Sequence, residues 1–137
     1  MSENAFELQI RVRYGETDQM GFVYYGNYAL YLEQVRTEML RSLGYTYKEM
    51  EDKGVLLPVA NMNTRFISPA KYDDLLTLKT IIKGKPNRKI IFETQIFNEE
   101  NQLLNTSEVV LVFMDAEHKV TTCPLNILTA LEKYILS

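Results

Sequence analysis

The chain has one cysteine, one histidine and no tryptophan among 137 residues. A lone cysteine, Cys123, cannot close an internal disulfide, which points to a reducing cytoplasm. It precedes a proline, has no basic neighbour to lower its pKa, and reads as a small packing residue. One cysteine and one histidine cannot supply the three or four soft ligands of a zinc site, so no metal is expected. His118 sits in the charged turn Asp115-Ala116-Glu117-His118-Lys119 and reads as solvated. A Ser-His-Asp or Cys-His arrangement could be built only through it, and no G-x-S-x-G is present. The six glycines form neither G-x-G-x-x-G nor G-x-x-x-x-G-K, and no cofactor is expected. No apolar run approaches the roughly 20 residues of a membrane span. Met1-Ser2-Glu3-Asn4-Ala5 has neither a basic cluster nor an apolar core, so no signal peptide is expected. Neither sign of charge dominates: 15 basic and 18 acidic residues give −3, which argues against nucleic acid or an anionic membrane as partner.

What is present fits one globular domain spanning residues 1–137, large enough to bury a real core. Phe6, Leu8, Ile10, Val12 and Tyr14 alternate with polar residues and predict a half-buried strand. The period then changes. Tyr28, Tyr31, Leu32, Val35, Met39 and Leu43 form one helical stripe, widened by Ala29, Leu30 and Leu40. Asn27 is a plausible N-cap and Gly44 a plausible C′ residue. Glu33–Arg36 and Glu38–Arg41 are expected ion pairs on the outer face. Thr46-Tyr47-Lys48-Glu49 reads as a capping box for a short helix ending near Gly54. Four strands follow, at about Val59–Ile67, Leu75–Lys83, Lys89–Phe97 and Leu103–Met114. Gly84–Asn87 and Asn98–Asn101 are turns between neighbours, which predicts an antiparallel meander. Pro124 is expected to open a last helix carrying Leu128, Leu131 and Ile135. The order predicts an α+β domain whose sheet buries one long helix, with edges left over for self-association.

With histidine and cysteine chemistry set aside, carboxylates remain. Glu16 and Asp18 lie two apart in the glycine-flanked loop before the long helix, on one side if the segment stays extended. A helix N-terminus offers free N–H groups and partial positive charge. Asp18 reads either as an ordinary Asx-turn residue or as a catalytic carboxylate beside an oxyanion site. Glu16 reads as a solvated loop charge, and Glu33 as the partner of Arg36. Phe22, Tyr24, Tyr25, Tyr28 and Tyr31 crowd the helix start, either as core or beside a substrate pocket. Lys83, Lys85, Arg88 and Lys89 bracket a turn, either as a solvated face or as a phosphate clamp.

The segment Arg13-Tyr14-Gly15-Glu16-Thr17-Asp18-Gln19-Met20-Gly21-Phe22-Val23-Tyr24-Tyr25-Gly26-Asn27-Tyr28 resembles the 4-hydroxybenzoyl-CoA thioesterase family, including its Tol-Pal-associated branch. Tyr31–Arg41 and Ser68-Pro69-Ala70-Lys71-Tyr72-Asp73-Asp74 resemble the family's helix and the turn before its third strand. The likeness covers essentially the whole chain. It implies a hotdog fold, an antiparallel sheet wrapped around one long central helix. It also implies hydrolysis of an acyl- or aroyl-CoA to the free acid and coenzyme A, in a cytoplasmic homodimer or homotetramer with sites between subunits. Asp18 would be the catalytic carboxylate, as nucleophile or as base for water, and the Tyr25 N–H would polarise the carbonyl. Gly21, Tyr24, Gly26, Asn27 and Glu33 would hold the substrate. The turn near Arg88 and Lys89 resembles the coenzyme A phosphate site more loosely. Many members of the Tol-Pal branch carry histidine where this chain has Tyr25, and tyrosine is closer to the hydroxybenzoyl-CoA enzymes. Two rivals stand beside this reading. A hotdog hydratase or dehydratase would pair its carboxylate with a histidine, and a non-catalytic acyl-CoA binder would bind without turnover.

Overall fold

The structure is a computed structural model that describes residues 4–136; Met1, Ser2 and Glu3, part of the stretch read for a leader, lie outside the described residues. The chain runs β1 (Phe6–Arg11), α1 (Asn27–Ser42), α2 (Tyr47–Asp52), β2 (Val59–Phe66), β3 (Leu75–Lys83), β4 (Lys89–Phe97), β5 (Leu103–Val112), α3 (Leu125–Leu131) and β6 (Ile135–Leu136). One sheet has the order β1-β3-β4-β5-β2, and β6 pairs with the far end of β3. Strands β3, β4 and β5 form the expected meander, antiparallel throughout. β2 does not join it beside β3. It crosses to the opposite edge and pairs with β5, while β1 takes the place next to β3. Alternation fixes which face a residue takes, not which strand is its neighbour.

α1 lies on the inner face of the sheet. Leu32, Val35, Met39 and Leu40 are at most 1% exposed and pack among residues such as Leu76, Leu78, Phe92 and Phe113. The 3.6-residue stripe accounts for this. Ala29 and Leu30 do not widen it; both are exposed, and position 30 is turned about 200° from Tyr28. Arg36 is buried rather than outward. Of the two expected pairs, only Glu38–Arg41 forms an ion pair among the described residues, at 3.3 Å. Gly44 follows α1 at φ +92°, a conformation that suits glycine. Thr46 Oγ1 accepts the Glu49 N–H at 3.1 Å and caps α2.

Three element ends differ from expectation. β1 stops at Arg11, and a 3-10 turn occupies Tyr14–Glu16, because the Glu16 carboxylate takes the Arg13 N–H at 2.8 Å and curls the chain. β5 stops at Val112, and Met114 makes isolated bridges to Leu56 and Val120. Ile135 leaves the last helix to extend the sheet against Ile82, beyond the reach of β1. β2 stays exposed along nearly its whole length, with Val59, Met62 and Phe66 between 41% and 52% exposed.

Candidate active site

The loop between β1 and α1 is folded around Asp18. Its Oδ1 accepts the N–H groups of Met20 at 2.9 Å and Phe22 at 3.2 Å. Its own N–H donates to the Phe22 carbonyl at 2.8 Å, and the Gly21 N–H donates to the Asp18 carbonyl at 3.0 Å. Gly21 completes this turn at φ +79°, where a side chain would strain the backbone. Asp18 is thus the Asx-turn residue of the loop. Only one carboxylate oxygen is used this way; the other makes no hydrogen bond among the described residues.

Asp18 lines a cavity of about 290 Å³ with Phe22, Val23, Tyr25, Tyr28, Phe66, Ile67, Ser68 and Pro69. Its walls are mostly apolar, and Tyr28 meets Phe66 edge to face at 5.3 Å. Burial pushes the Tyr28 phenol above its usual range, against a smaller opposite effect of the Ala70 N–H. From the sequence, Phe66 and Ile67 read as the end of a strand, and Ser68 and Pro69 as the start of a segment of resemblance. Its signal as site lining is two large apolar residues at the end of a strand, just before a Ser-Pro turn.

α1 begins beside this cavity. Gly26, not Asn27, is its N-cap. Asn27 is already helical, and its Nδ2 reaches back to the Glu16 carbonyl at 2.7 Å. Its amide therefore holds the loop instead of capping the helix. The Tyr25 and Gly26 N–H groups have no acceptor among the described residues. Free N–H groups at the positive end of a 16-residue helix thus belong to the segment whose Tyr25 lines the same cavity as Asp18. Tyr24 lies over the turn: a Cβ on Gly26 would come within 3.0 Å of its ring, which also packs on Tyr25 at 4.7 Å.

Glu16 is no solvated charge. Its side chain is 17% exposed. Oε1 accepts from the Arg13 N–H and the Tyr31 hydroxyl at 2.8 and 2.9 Å, and Oε2 from the Arg13 guanidinium at 3.1 Å. Burial alone would raise its pKa, but these hydrogen bonds outweigh burial and hold the carboxyl below its usual range. Tyr31 is pushed well above its usual range, first by burial and then by Glu16.

The remaining predicted residues lie elsewhere in the chain. Glu33 is exposed on α1 and lines no part of the Asp18 cavity. Arg88 and Lys89 line a separate cavity of about 540 Å³ with Asn87, Val112, Val120 and Thr122. Lys89 is level with Val112, whose N–H donates to the Pro58 carbonyl, whereas the Asp18 cavity touches Phe66. Eight residues of extended chain separate those levels by about 26 Å. His118 lines a third cavity, with Leu56, Pro58 and Met114. Cys123 is half-buried, and burial pushes its thiol up to about 11. Among the described residues, no three His, Cys, Asp or Glu side chains are grouped to hold a metal ion, and no helix is long and apolar enough to cross a membrane.

Comparison with known proteins places this geometry in context. A family model described as the thioesterase-like superfamily matches residues 12–131. YneP of Bacillus subtilis is 39% identical over 95 residues, 69% of each chain. The acyl-CoA thioester hydrolase YbgC of Escherichia coli O6:H1 is 35% identical over 115 residues, 84% of this chain and 86% of that one. A crystal structure of a 4-hydroxybenzoyl CoA thioesterase variant superposes with a TM-score of 0.84, covering 93% of this chain and 99% of the other. At 20% identity it speaks for the fold alone. That shared fold is the hotdog expected from the sequence, a sheet curved around one long helix.

Proposed function

We infer that this chain, which belongs to the thioesterase-like superfamily, is an acyl-CoA thioester hydrolase whose chemistry is carried by Asp18 and the start of α1. The supporting observation is that one cavity is lined by both Asp18 and Tyr25, with a free N–H at the helix end. A thioester carbonyl lodged there would direct its oxygen at the Tyr25 N–H and its carbon at the unengaged Asp18 oxygen. Asp18 then attacks the carbonyl, giving a mixed anhydride that water cleaves to the free acid and the carboxylate, or it draws a proton from a water that attacks directly. The thiol leaves as an anion with pKa near 8.5. Charge gathers on the carbonyl oxygen, and one donor in such a position is worth about 3–4 kcal/mol. Gly21 sets the turn, Tyr24 and Gly26 form the helix start beside the cavity, Asn27 acts through the loop it holds, and Glu33 has no part in this cavity. The whole span 1–137 acts as one domain, in the cytoplasm, where Cys123 stays reduced.

A second copy supplies the phosphate clamp in this reading. β2 is an edge strand, exposed and partly apolar. Antiparallel pairing of β2 with its own copy is a self-complementary contact. It sets the Val59 end of one copy beside the Phe66 end of the other. Arg88 and Lys89 of one copy then share an end of the joined sheet with Asp18 of its mate, about 12 Å in from the seam at ~4.8 Å per strand. A coenzyme A thioester could bridge the two, which a single chain does not allow.

Free-thiol release across a panel of acyl- and aroyl-CoA thioesters tests the activity. Turnover of at least one member is expected; tight binding without turnover would leave a binding protein, and hydration of an enoyl-CoA without thiol release would leave a hydratase. Mixed dimers test the shared site. Asp18→Asn should be inactive and Arg88→Ala/Lys89→Ala weak, but co-expression should restore roughly a quarter of wild-type activity, since half the dimers are mixed and each holds one intact site. No recovery in verified mixed dimers would place both parts in one chain or remove the basic pair from the site.

A further inference from the structure

We propose that Glu16 is the positioning residue that fixes Asp18 against the start of α1. The proposal rests on the reading of Asp18 as the catalytic carboxylate. Glu16 does not line the Asp18 cavity. Its carboxylate is occupied by Arg13 and by the hydroxyl of Tyr31, a residue 2% exposed in the middle of the core. Its carbonyl accepts the Asn27 Nδ2 at 2.7 Å and the Tyr24 N–H at 2.9 Å. Both ends of this one residue therefore grip the helix segment, two residues before Asp18. Two other ties, from the Val23 N–H to the Ala70 carbonyl and from the Tyr72 N–H to that of Gly21, hold the loop to the 70–72 segment. Asp18 itself is tied to Phe22. Among the described residues, the ties from Glu16 are the ones that carry the loop past Val23, to Tyr24, Asn27 and Tyr31.

The hydroxyl of Tyr31 links a helix buried in the core to a carboxylate engaged at both oxygens. Releasing it lets Asp18 drift relative to the Tyr25 N–H. A displacement of about 1 Å between reacting groups costs on the order of 100-fold in rate. Substrate binding draws on other residues of the cavity and changes little.

The test is steady-state thiol release by five single variants, Asp18→Asn among them, and one double variant of the full chain. Glu16→Ala should lower kcat by roughly 10- to 100-fold with KM within about threefold. Tyr31→Phe keeps the ring in the core and should lower kcat several-fold in the native background. In the Glu16→Ala background it should have no further effect, because the two act through one contact. Glu16→Gln retains an acceptor and should recover most of kcat. Glu16→Asp is one methylene short and should not. A merely structural role would lower the melting temperature and leave kcat of the folded enzyme unchanged. Should Glu16→Ala fail to fold, Tyr31→Phe carries the test alone, and native kcat there overturns the proposal. So does native kcat in Glu16→Ala when Asp18→Asn is inactive. Native kcat in Asp18→Asn overturns the reading of Asp18 itself, and the positioning role with it.

Discussion

Replacing Asp18 by Asn and, separately, by Ala distinguishes its chemistry from its part in the loop. Asn keeps a carbonyl oxygen where Oδ1 now accepts the Met20 and Phe22 N–H groups at 2.9 and 3.2 Å. The Asx-turn therefore survives, and the melting temperature should stay within a degree or two of wild type. An amide oxygen is neither a base nor a nucleophile at neutral pH. Losing a positioned carboxylate costs about 10²- to 10⁴-fold, equal to about 3–5 kcal/mol in the barrier. Ala removes the chemistry and both hydrogen bonds. At about 0.5–1.5 kcal/mol for each bond it should cost an additional 1–3 kcal/mol of stability. For a domain of this size that is a fall of roughly 4–12 °C. The assay is thiol release from the best acyl-CoA, beside calorimetric melting of all three proteins. Asn near wild-type turnover would remove Asp18 from the mechanism. Asn melting as low as Ala would show that its carboxylate charge, not the acceptor geometry, holds the loop.

Gly26→Ala has no backbone penalty, since Gly26 is at φ −66°, but its Cβ meets the Tyr24 ring at 3.0 Å. Stability should hold or rise by about 0.4–1 kcal/mol while the displaced ring changes KM more than kcat; a fall of several degrees in melting temperature would show that Tyr24 cannot move. The Cys123 thiol, pushed up to about 11 by burial, should react with a thiol reagent at pH 8 about 100-fold more slowly in the folded protein than in urea, because only the thiolate attacks. Equal rates would mean that Cys123 is open to solvent as an ordinary thiol.

Much of the fold could be read from spacing. β3 and β4 match the sequence pattern residue for residue, because each run has clear bounds, with the Gly84–Asn87 turn between them. α1 was legible for the same reason, with its stripe burying Tyr31, Val35 and Met39 as spaced. Strand order was not. The place of β2 beside β5 depends on a long excursion through the 67–74 segment, which no local pattern encodes. Arg36 misled because its charge outvoted its position: it stands at i+4 from Leu32 and follows the stripe inward. The residues alone gave the carboxylates as a pair, and the resemblance singled out Asp18. What Glu16 holds was not legible: its partners Tyr31 and Arg13 meet it only in the fold, while the cavity forms around Asp18.

Among the described residues of one chain, the Asp18 cavity holds no strong proton donor, and this bears on selectivity. Apart from Asp18, its titratable side chains are the phenols of Tyr25 and Tyr28, and the Tyr28 phenol holds its proton more tightly than usual. A leaving group must then depart largely as an anion. A thiolate does so with pKa near 8.5, whereas an alkoxide is closer to 16. At 1.36 kcal/mol per unit that gap is worth up to about 10 kcal/mol. A carboxylate and a helix end suffice for the first and fall far short for the second. Oxygen esters of the same acyl groups could occupy the same cavity and still be poor substrates. Discrimination between sulfur and oxygen would then come from what the site omits, with no contact needed to recognise sulfur.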